Sequence, residues 1–329
     1  MARILLTHPP EALEKYYGQR ALAGLRAIAE VRLNPLGREM NHDELVEAAR
    51  GCDMVISYRQ TAAPAALLDR LGNIVAFSRC AIDIRNIDVA AASRHGILVT
   101  QASAGFIASV SEWTIGAMID LSRSITAMTA SYHAGRVPTA PMGRELRGST
   151  LGIIGFGQIA RYLCTLALPF GLRILVSDPH ARVDDPALAQ VSQGRLLSES
   201  DYVVCLAVAT DETENLMNDA AFAQMKTGAY FINPSRGNLV DEAALLRALE
   251  GGRLAGCAMD VGRAPDQMPT PALARHPKVI ATPHLAGLTP AAIEHQSLET
   301  VAQAAEILAG RAPRGAVNAE SATRLKDRG

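Results

Sequence analysis

Short apolar runs alternate along most of this chain with longer stretches whose apolar positions recur at helical spacing. The short runs read as buried strands and the longer ones as amphipathic helices, so the expected class is α/β with parallel, doubly wound sheets. In the N-terminal part, strands are expected at Arg3–Thr7, Met54–Ser57, Ile74–Phe77 and Ile97–Val99. Helices are expected over Pro10–Ile28, Asp43–Arg50, Pro64–Leu71 and Asp88–His95. A long amphipathic helix over Ser109–Ala134 holds the only tryptophan, Trp113, and Arg136–Ser149, with its glycines and prolines, reads as a loop. Strands at Thr150–Ile154, Arg173–Ser177, Tyr202–Val208, Ala229–Asn233, Gly256–Asp260 and Val279–Ala281 then outline a second unit that runs to about Pro283. The last helix, Pro290–Ala309, has no strand of its own there. It must return to the first unit, which makes that unit discontinuous in sequence.

The most telling stretch is Gly152-Ile-Ile-Gly-Phe-Gly-Gln-Ile-Ala160, where the apolar run Thr150–Ile154 meets a helix expected over Ile159–Phe170. Gly155 and Gly157 make a Gly-x-Gly turn, in which the backbone turns tightly and approaches a pyrophosphate with helix N–H groups aimed at it. Ala160 stands in the place of the third glycine. Gly155, Phe156, Gly157, Gln158 and Ile159 are therefore read as lining a cofactor. The next strand, Arg173–Ser177, ends in Asp178, 21 positions past Gly157. An acid at that point accepts from ribose hydroxyls and repels a 2′-phosphate. Strand, glycines, helix, strand and terminal acid in register read as a dinucleotide site that prefers NAD to NADP.

Composition narrows the picture further. The 329 residues are 49% hydrophobic and 20% charged, enough for two ordinary domains. A net charge of −1 with interspersed signs gives no footprint for nucleic acid or an anionic membrane. The basic stretches Arg311–Arg314 and Arg324–Arg328 read as solvated. No apolar run approaches the roughly 20 residues of a spanning helix, and Met1–Leu6 reads as a strand rather than a signal-peptide core. Cys52, Cys80, Cys164, Cys205 and Cys257 form no Cys-x-x-Cys pair and sit in or beside apolar segments, as small buried hydrophobes do in a cytoplasmic protein. The eight histidines show no metal-binding spacing, so no metal is expected.

Three further blocks follow the fingerprint: Phe231-Ile-Asn-Pro-Ser-Arg236-Gly-Asn-Leu-Val-Asp-Glu242, Gly256-Cys-Ala-Met-Asp260-Val, and Thr282-Pro-His284-Leu-Ala-Gly-Leu-Thr289. From the first strands to about Asn318, the chain resembles the D-isomer-specific 2-hydroxyacid dehydrogenases, in particular their phosphoglycerate/glycerate dehydrogenase branch. The resemblance implies two Rossmann-like domains: a discontinuous catalytic domain, 1–100 with 285–329, and a central NAD domain, 101–284. It also implies a homodimer joined through the NAD domains, with the Ser109–Ala134 helix reaching across.

The implied reaction is hydride transfer between NAD and a small 2-oxo acid or its D-2-hydroxy acid. Arg236 would hold the carboxylate and polarise the carbonyl through its planar fork of donors. His284 would protonate the carbonyl oxygen as hydride arrives and take the proton back in the reverse direction. Asp260 would accept from the nicotinamide carboxamide, and Thr210 and Ser235 would lie along the cofactor.

The chain departs from the family pattern around the implied substrate pocket. Pro265, within Gly262-Arg-Ala-Pro-Asp266-Gln-Met-Pro, stands where the family has a Glu that pairs with the histidine; Asp266 or Gln267 could serve instead, and neither is in register. Without that Glu, reduction is expected to fade at a lower pH than in relatives. In Arg79-Cys-Ala-Ile-Asp83-Ile-Arg-Asn86-Ile-Asp88, which resembles the family's carboxylate loop, Ala81 and Asp83 take two glycine places. Ala81, Ile82 and Asp83 are thus candidate substrate contacts, and Asp83 either points away, pairs with Arg85 or Arg59, or meets a polar group of the substrate. Phe106 replaces an Asn that faces substrate, which makes the pocket more apolar. Val208 replaces a proline, while Thr210 keeps the loop's hydroxyl.

Ile56-Ser-Tyr-Arg59-Gln-Thr61 resembles a loop that reads a second anionic group, so Arg59 is a candidate for a distal carboxylate or phosphate; an exposed loop arginine is the competing reading. Because the chain stops soon after the expected helix Pro290–Ala309, the serine-binding regulatory domain of some relatives is not expected here. A second functional class also stands: an NAD(H)-binding regulatory or interaction protein with vestigial catalysis. The absent Glu favours it, and Arg236 and His284 oppose it.

Overall fold

The computed structural model describes residues 1–326; Asp327, Arg328 and Gly329, the end of the Arg324–Arg328 stretch and of the 285–329 segment, lie outside the described residues. The chain divides into two units: Met1–Phe106 with the segment from Thr289 onward, and Ile107–Leu288. Gln101–Phe106 thus groups with the first unit and Leu285–Leu288 with the second.

The first unit is built on five parallel strands, β1 (Arg3–Leu6), β2 (Glu30–Leu33), β3 (Met54–Ser57), β4 (Ala76–Arg79) and β5 (Leu98–Gln101), in the order β2-β1-β3-β4-β5. Strands β3 and β4 are buried at every position, because helices cover both faces of the sheet. Successive side chains feed opposite faces. Ile4, Leu6, Met54 and Ile56 pack with Leu25, Ala304 and Ile307, while Leu5, Val55 and Phe77 pack with Leu45 and Leu67. The long helix Pro290–Leu308 lies against Gln19–Ile28, the Tyr17 and Thr300 hydroxyls meet at 2.9 Å, and a short helix, Thr323–Lys326, follows later in the chain.

Several element bounds differ from the sequence pattern. Pro10–Ile28 is two helices, Pro10–Tyr16 and Gln19–Ile28. Gly18, at φ 84, breaks the run and donates its N–H to Leu13 O, as a helix-ending glycine does. Strands β4 and β5 extend into Ser78-Arg79 and Thr100-Gln101 because these polar residues are satisfied inside: Thr100 Oγ1 donates to Ser78 Oγ at 2.8 Å, and Ser57 Oγ to Ser78 O at 3.2 Å. Arg79 is fully buried and donates to Tyr58 O, to Thr61 O at 2.9 Å and to Asn86 Oδ1, so it ties together the loops after β3 and β4. The helices between the strands are His42–Ala49, Ala65–Leu68 and Val89–Arg94.

The second unit has seven parallel strands: β6 (Thr150–Ile154), β7 (Arg173–Ser177), β8 (Leu188–Gln190), β9 (Tyr202–Cys205), β10 (Ala229–Asn233), β11 (Leu254–Met259) and β12 (Val279–Ala281). Their order, β12-β11-β10-β9-β6-β7-β8, reverses direction at β6. That reversal opens a crevice beyond the carboxyl ends of β6 and β9, where doubly wound sheets take their ligands. Ser109–Ala134 is not one helix but two, Ile107–Arg123 and Ile125–His133. Ser124 is left-handed (φ 54), and the Asp120 carboxylate accepts from Thr126 N at 2.8 Å, which starts a new helix. The fingerprint helix is Gln158–Ala167, followed by a tighter turn at Leu168–Phe170, where Pro169 can donate no backbone hydrogen. Strand β9 stops at Cys205 rather than Val208, which is 77% exposed on the loop beyond. All five cysteines are buried and none is in a disulfide. Among the described residues, no helix is long and apolar enough to cross a membrane.

Candidate active site

At the end of β6, Gly155 is at φ 91, and a Cβ there would stand 2.6 Å from Leu206 O and 2.7 Å from Ala207 N. Only glycine permits this turn beside β9. Gly157 caps the Gln158–Ala167 helix, and a Cβ on it would meet nothing within 4 Å, so space lies open before the helix N-terminus. That is the cradle a pyrophosphate needs, and the residues present fit a dinucleotide. Asp178, beyond β7, accepts from Phe156 N through Oδ2 at 2.7 Å and from His180 N and Ala181 N through Oδ1 at 2.7 and 2.8 Å. Burial works against its charge, but these three donors outweigh it and hold the carboxyl below the usual carboxylate range. Because its folded value is depressed, the turn keeps this support at neutral pH and loses it only as pH falls through that value.

The adjacent strand ends carry the remaining candidates. Beyond β10, fully buried Asn233 accepts from Ser235 N at 3.1 Å and donates to Arg236 O at 2.9 Å, which bends the chain so that Arg236 starts a new turn. Sequence reading gave Asn233 no role, although an Asn before Pro-Ser at a strand end is a turn signal. Ser235 Oγ donates to Cys205 O at 2.9 Å, so its hydroxyl braces β10 against β9. Half-buried Arg236 donates through Nη1 to Ser235 O at 2.7 Å. Thr210, exposed beyond β9, donates its N–H to Thr213 Oγ1 at 2.8 Å.

Beyond β11, Asp260 is 1% exposed. Its Oδ1 accepts from Thr282 Oγ1 at 2.6 Å and from Leu285 N at 2.8 Å, and its Oδ2 from Ala286 N at 2.9 Å. Its main-chain oxygen takes His284 N at 2.9 Å. Three of the carboxylate's roughly four acceptor positions are therefore given to the turn that bears His284. His284 itself is left-handed at φ 54, and its Nδ1 lies 2.9 Å from Asp266 O.

In the first unit, the Arg59 guanidinium lies over the Tyr16 ring at 5.4 Å, and Asn86 Nδ2 donates to Arg59 O at 3.3 Å. Ala81, Ile82 and Asp83 are half-buried in the loop after β4. Of the alternatives open for Asp83, pairing with Arg85 is realised as a bidentate contact, 2.6 Å from Oδ2 to Nη2. Phe106 is half-buried in the turn ahead of Ile107–Arg123.

Comparison with known proteins accords with this arrangement. The family model described as "D-isomer specific 2-hydroxyacid dehydrogenase, NAD binding domain" matches residues 115–286. Human D-3-phosphoglycerate dehydrogenase is 33% identical over 291 residues, 87% of this chain and 54% of that protein; the chain thus spans about half the length of such relatives. The (S)-sulfolactate dehydrogenase of Chromohalobacter salexigens is 33% identical over 273 residues, 82% of this chain and 88% of that protein. The crystal structure of the TT0316 protein from Thermus thermophilus superposes with a TM-score of 0.86 at 27% identity, covering 96% of this chain and 99% of that one. With its two doubly wound units and an NAD-binding domain across the second, this chain belongs to the D-isomer-specific 2-hydroxyacid dehydrogenase family.

Proposed function

We propose that the chain interconverts a 2-oxo acid and its D-2-hydroxy acid, with NAD(H) as the hydride carrier. The observation that carries this reading is the delivery of Arg236 and His284 from β10 and β12, the two neighbours of β11. Bound NADH supplies a hydride to the substrate carbonyl carbon. The Arg236 fork holds the carboxylate and draws charge from the carbonyl. His284 gives the carbonyl oxygen its proton in reduction and recovers it in oxidation. Gly155–Ile159, with Asp178, Thr210 and Ser235, form the cofactor side, and Asp260 offers its remaining acceptor to the carboxamide.

In the first unit, Arg59 offers a cation to a second anionic group on the acid, beside the loop of Ala81, Ile82 and Asp83, while Phe106 adds an apolar contact. Two relatives are named for phospho- and sulfo-substituted acids, which supports this substrate class. The test is NADH oxidation by the purified protein over glyoxylate, pyruvate, hydroxypyruvate, phosphohydroxypyruvate, phenylpyruvate and a dicarboxylate. Turnover is expected with a 2-oxo acid bearing a second anion, and Arg59→Ala is expected to raise KM for that acid at least tenfold, the loss of one charge-assisted hydrogen bond of about 1.5 kcal/mol or more. Equal turnover by wild type and Arg59→Ala would remove Arg59 from substrate recognition. NADH binding without turnover on any acid would favour the regulatory reading, which the absence of a Glu at Pro265 supports.

Asp178 sets the preference for NAD over NADP. Asp178→Ser is expected to weaken NADH binding roughly tenfold, as a lost charge-assisted hydrogen bond does, and to narrow the gap to NADPH. Fluorescence titration of both cofactors measures this, and an unchanged ratio would detach Asp178 from the ribose. The homodimer reading finds support in the Ile125–His133 helix, which buries none of its residues, and in nearby apolar side chains, with Val137 84% and Met142 99% exposed. A cytoplasmic setting suits the five buried cysteines.

A further inference from the structure

Among the described residues, five other than glycine have left-handed backbone: Ser124, Asn215, Asp266, Gln267 and His284. Asp266, Gln267 and His284 meet at one place, where the loop after β11 passes the turn after β12. L side chains are disfavoured in this region, and strain of this kind persists only where the surroundings enforce it.

The enforcing contacts are specific. Gly262 N donates to Gln267 O at 2.7 Å, and Ala264 N to Met268 O at 2.9 Å, which closes the loop on itself. Its base is pinned by Arg263, whose N–H donates to Glu242 Oε1 at 3.0 Å and whose Nε donates to Val240 O at 3.1 Å. Arg263 Nη2 reaches Glu214 Oε1 at 2.7 Å, Asn215 Oδ1 at 2.6 Å and Asn238 O at 3.0 Å. The loop also runs so close to Gly237 that a Cβ there would stand 2.0 Å from Gly262 O. In the loop so braced, Asp266 O lies 2.9 Å from His284 Nδ1. A carbonyl oxygen only accepts, so Nδ1 must carry the hydrogen whenever this bond is made, and the neutral ring then keeps its lone pair at Nε2.

We propose that the main-chain carbonyl of Asp266 does for His284 what a carboxylate does elsewhere in the family: it fixes the ring as its Nδ1–H tautomer and leaves Nε2 as the atom that gives and takes the substrate proton. The side chains of Asp266 and Gln267, the two replacements suggested by sequence, are not the partner. Arg263 is a positioning residue, acting through the loop. This inference rests on His284 as the acid/base, but it concerns a bond that exists without substrate, so it can be tested without turnover.

The experiment is a long-range ¹H–¹⁵N correlation on histidine-labelled protein at about pH 8.5, two units above the ordinary histidine value of about 6.5, with His284 assigned by its loss in His284→Asn. The expected result is a protonated Nδ1 and an unprotonated Nε2, retained in Asp266→Asn because the carbonyl remains. In Arg263→Ala, the two tautomers are expected to mix and kcat to fall about tenfold or more with NADH affinity unchanged. An Nε2–H tautomer in the wild type would overturn the proposal, and loss of the signature in Asp266→Asn would move the contact to the carboxylate. An unchanged tautomer in folded Arg263→Ala would remove Arg263 from it. A protein that shows the Nδ1–H ring yet turns over no acid would sink the catalytic reading and leave only the tautomer assignment standing.

Discussion

Replacing His284 by asparagine is expected to lower kcat by roughly two to four powers of ten, the usual worth of a positioned acid/base, while the Kd for NADH stays within about twofold of wild type. The separation follows from the sheet order: the fingerprint sits at the ends of β6 and β7, and His284 follows β12 at the opposite edge. Asparagine is the informative replacement because residue 284 is left-handed (φ 54), and asparagine tolerates that backbone better than alanine. His284→Ala should show the same catalytic loss with a further loss of stability. Stopped-flow or steady-state kinetics, paired with NADH titration, measure both quantities. A variant that reduces 2-oxo acids at near wild-type kcat would show that the proton comes from another group.

The largest stability effect is expected at Asp260. Asp260→Ala removes a buried carboxylate that takes three donors from the Thr282–Ala286 turn. It leaves the N–H groups of Leu285 and Ala286 without their acceptor, Ala286 in a position only 3% exposed. Hydrogen bonds to charged groups contribute about 1.5–3 kcal/mol each and do not simply add. The expected loss is therefore about 3–5 kcal/mol, which lowers Tm by roughly 10 °C for a unit of this size. Asp260→Asn should lose less: its carbonyl can keep two donors, but its amide would face the Ala286 N–H donor to donor. Thermal melting with kcat on the same samples tests this; a melt within about 2 °C of wild type would mean that the turn is held by other contacts.

Mostly buried strands were legible from their apolar runs: Thr150–Ile154, Arg173–Ser177 and Ala229–Asn233 stand at the anticipated bounds, as does the apolar, half-buried edge strand Val279–Ala281. The edge strands β2 and β8 were not. Glu-Val-Arg-Leu and Leu-Ala-Gln carry polar residues because one side of each faces solvent, and their pairing partners lie outside the local sequence. Helix breaks were legible at Gly18 in hindsight, through its glycine, but not at Ser124, whose conformation depends on Asp120 capping the next helix. At the candidate site, residue types and blocks pointed to Arg236, Asp260 and His284, but the strand order that sets their ends side by side is a long-range property. Least legible was Asp266 O. Every residue has a main-chain carbonyl, so only the fold can single one out.

The contacts of Asp260 also bear on how this chain departs from its relatives. One carboxylate, rooted at the end of β11, grips the turn after β12, so the two edges of the intervening segment are fastened to each other independently of what runs between them. The residues from Gly262 to Met268 are in that sense a removable cassette, framed by a clasp that does not depend on its contents. Substitution within the cassette can change what meets His284 Nδ1 without carrying the histidine away from its strand end. A chain that reads Pro265 within this cassette can therefore keep the Thr282–Thr289 block in place.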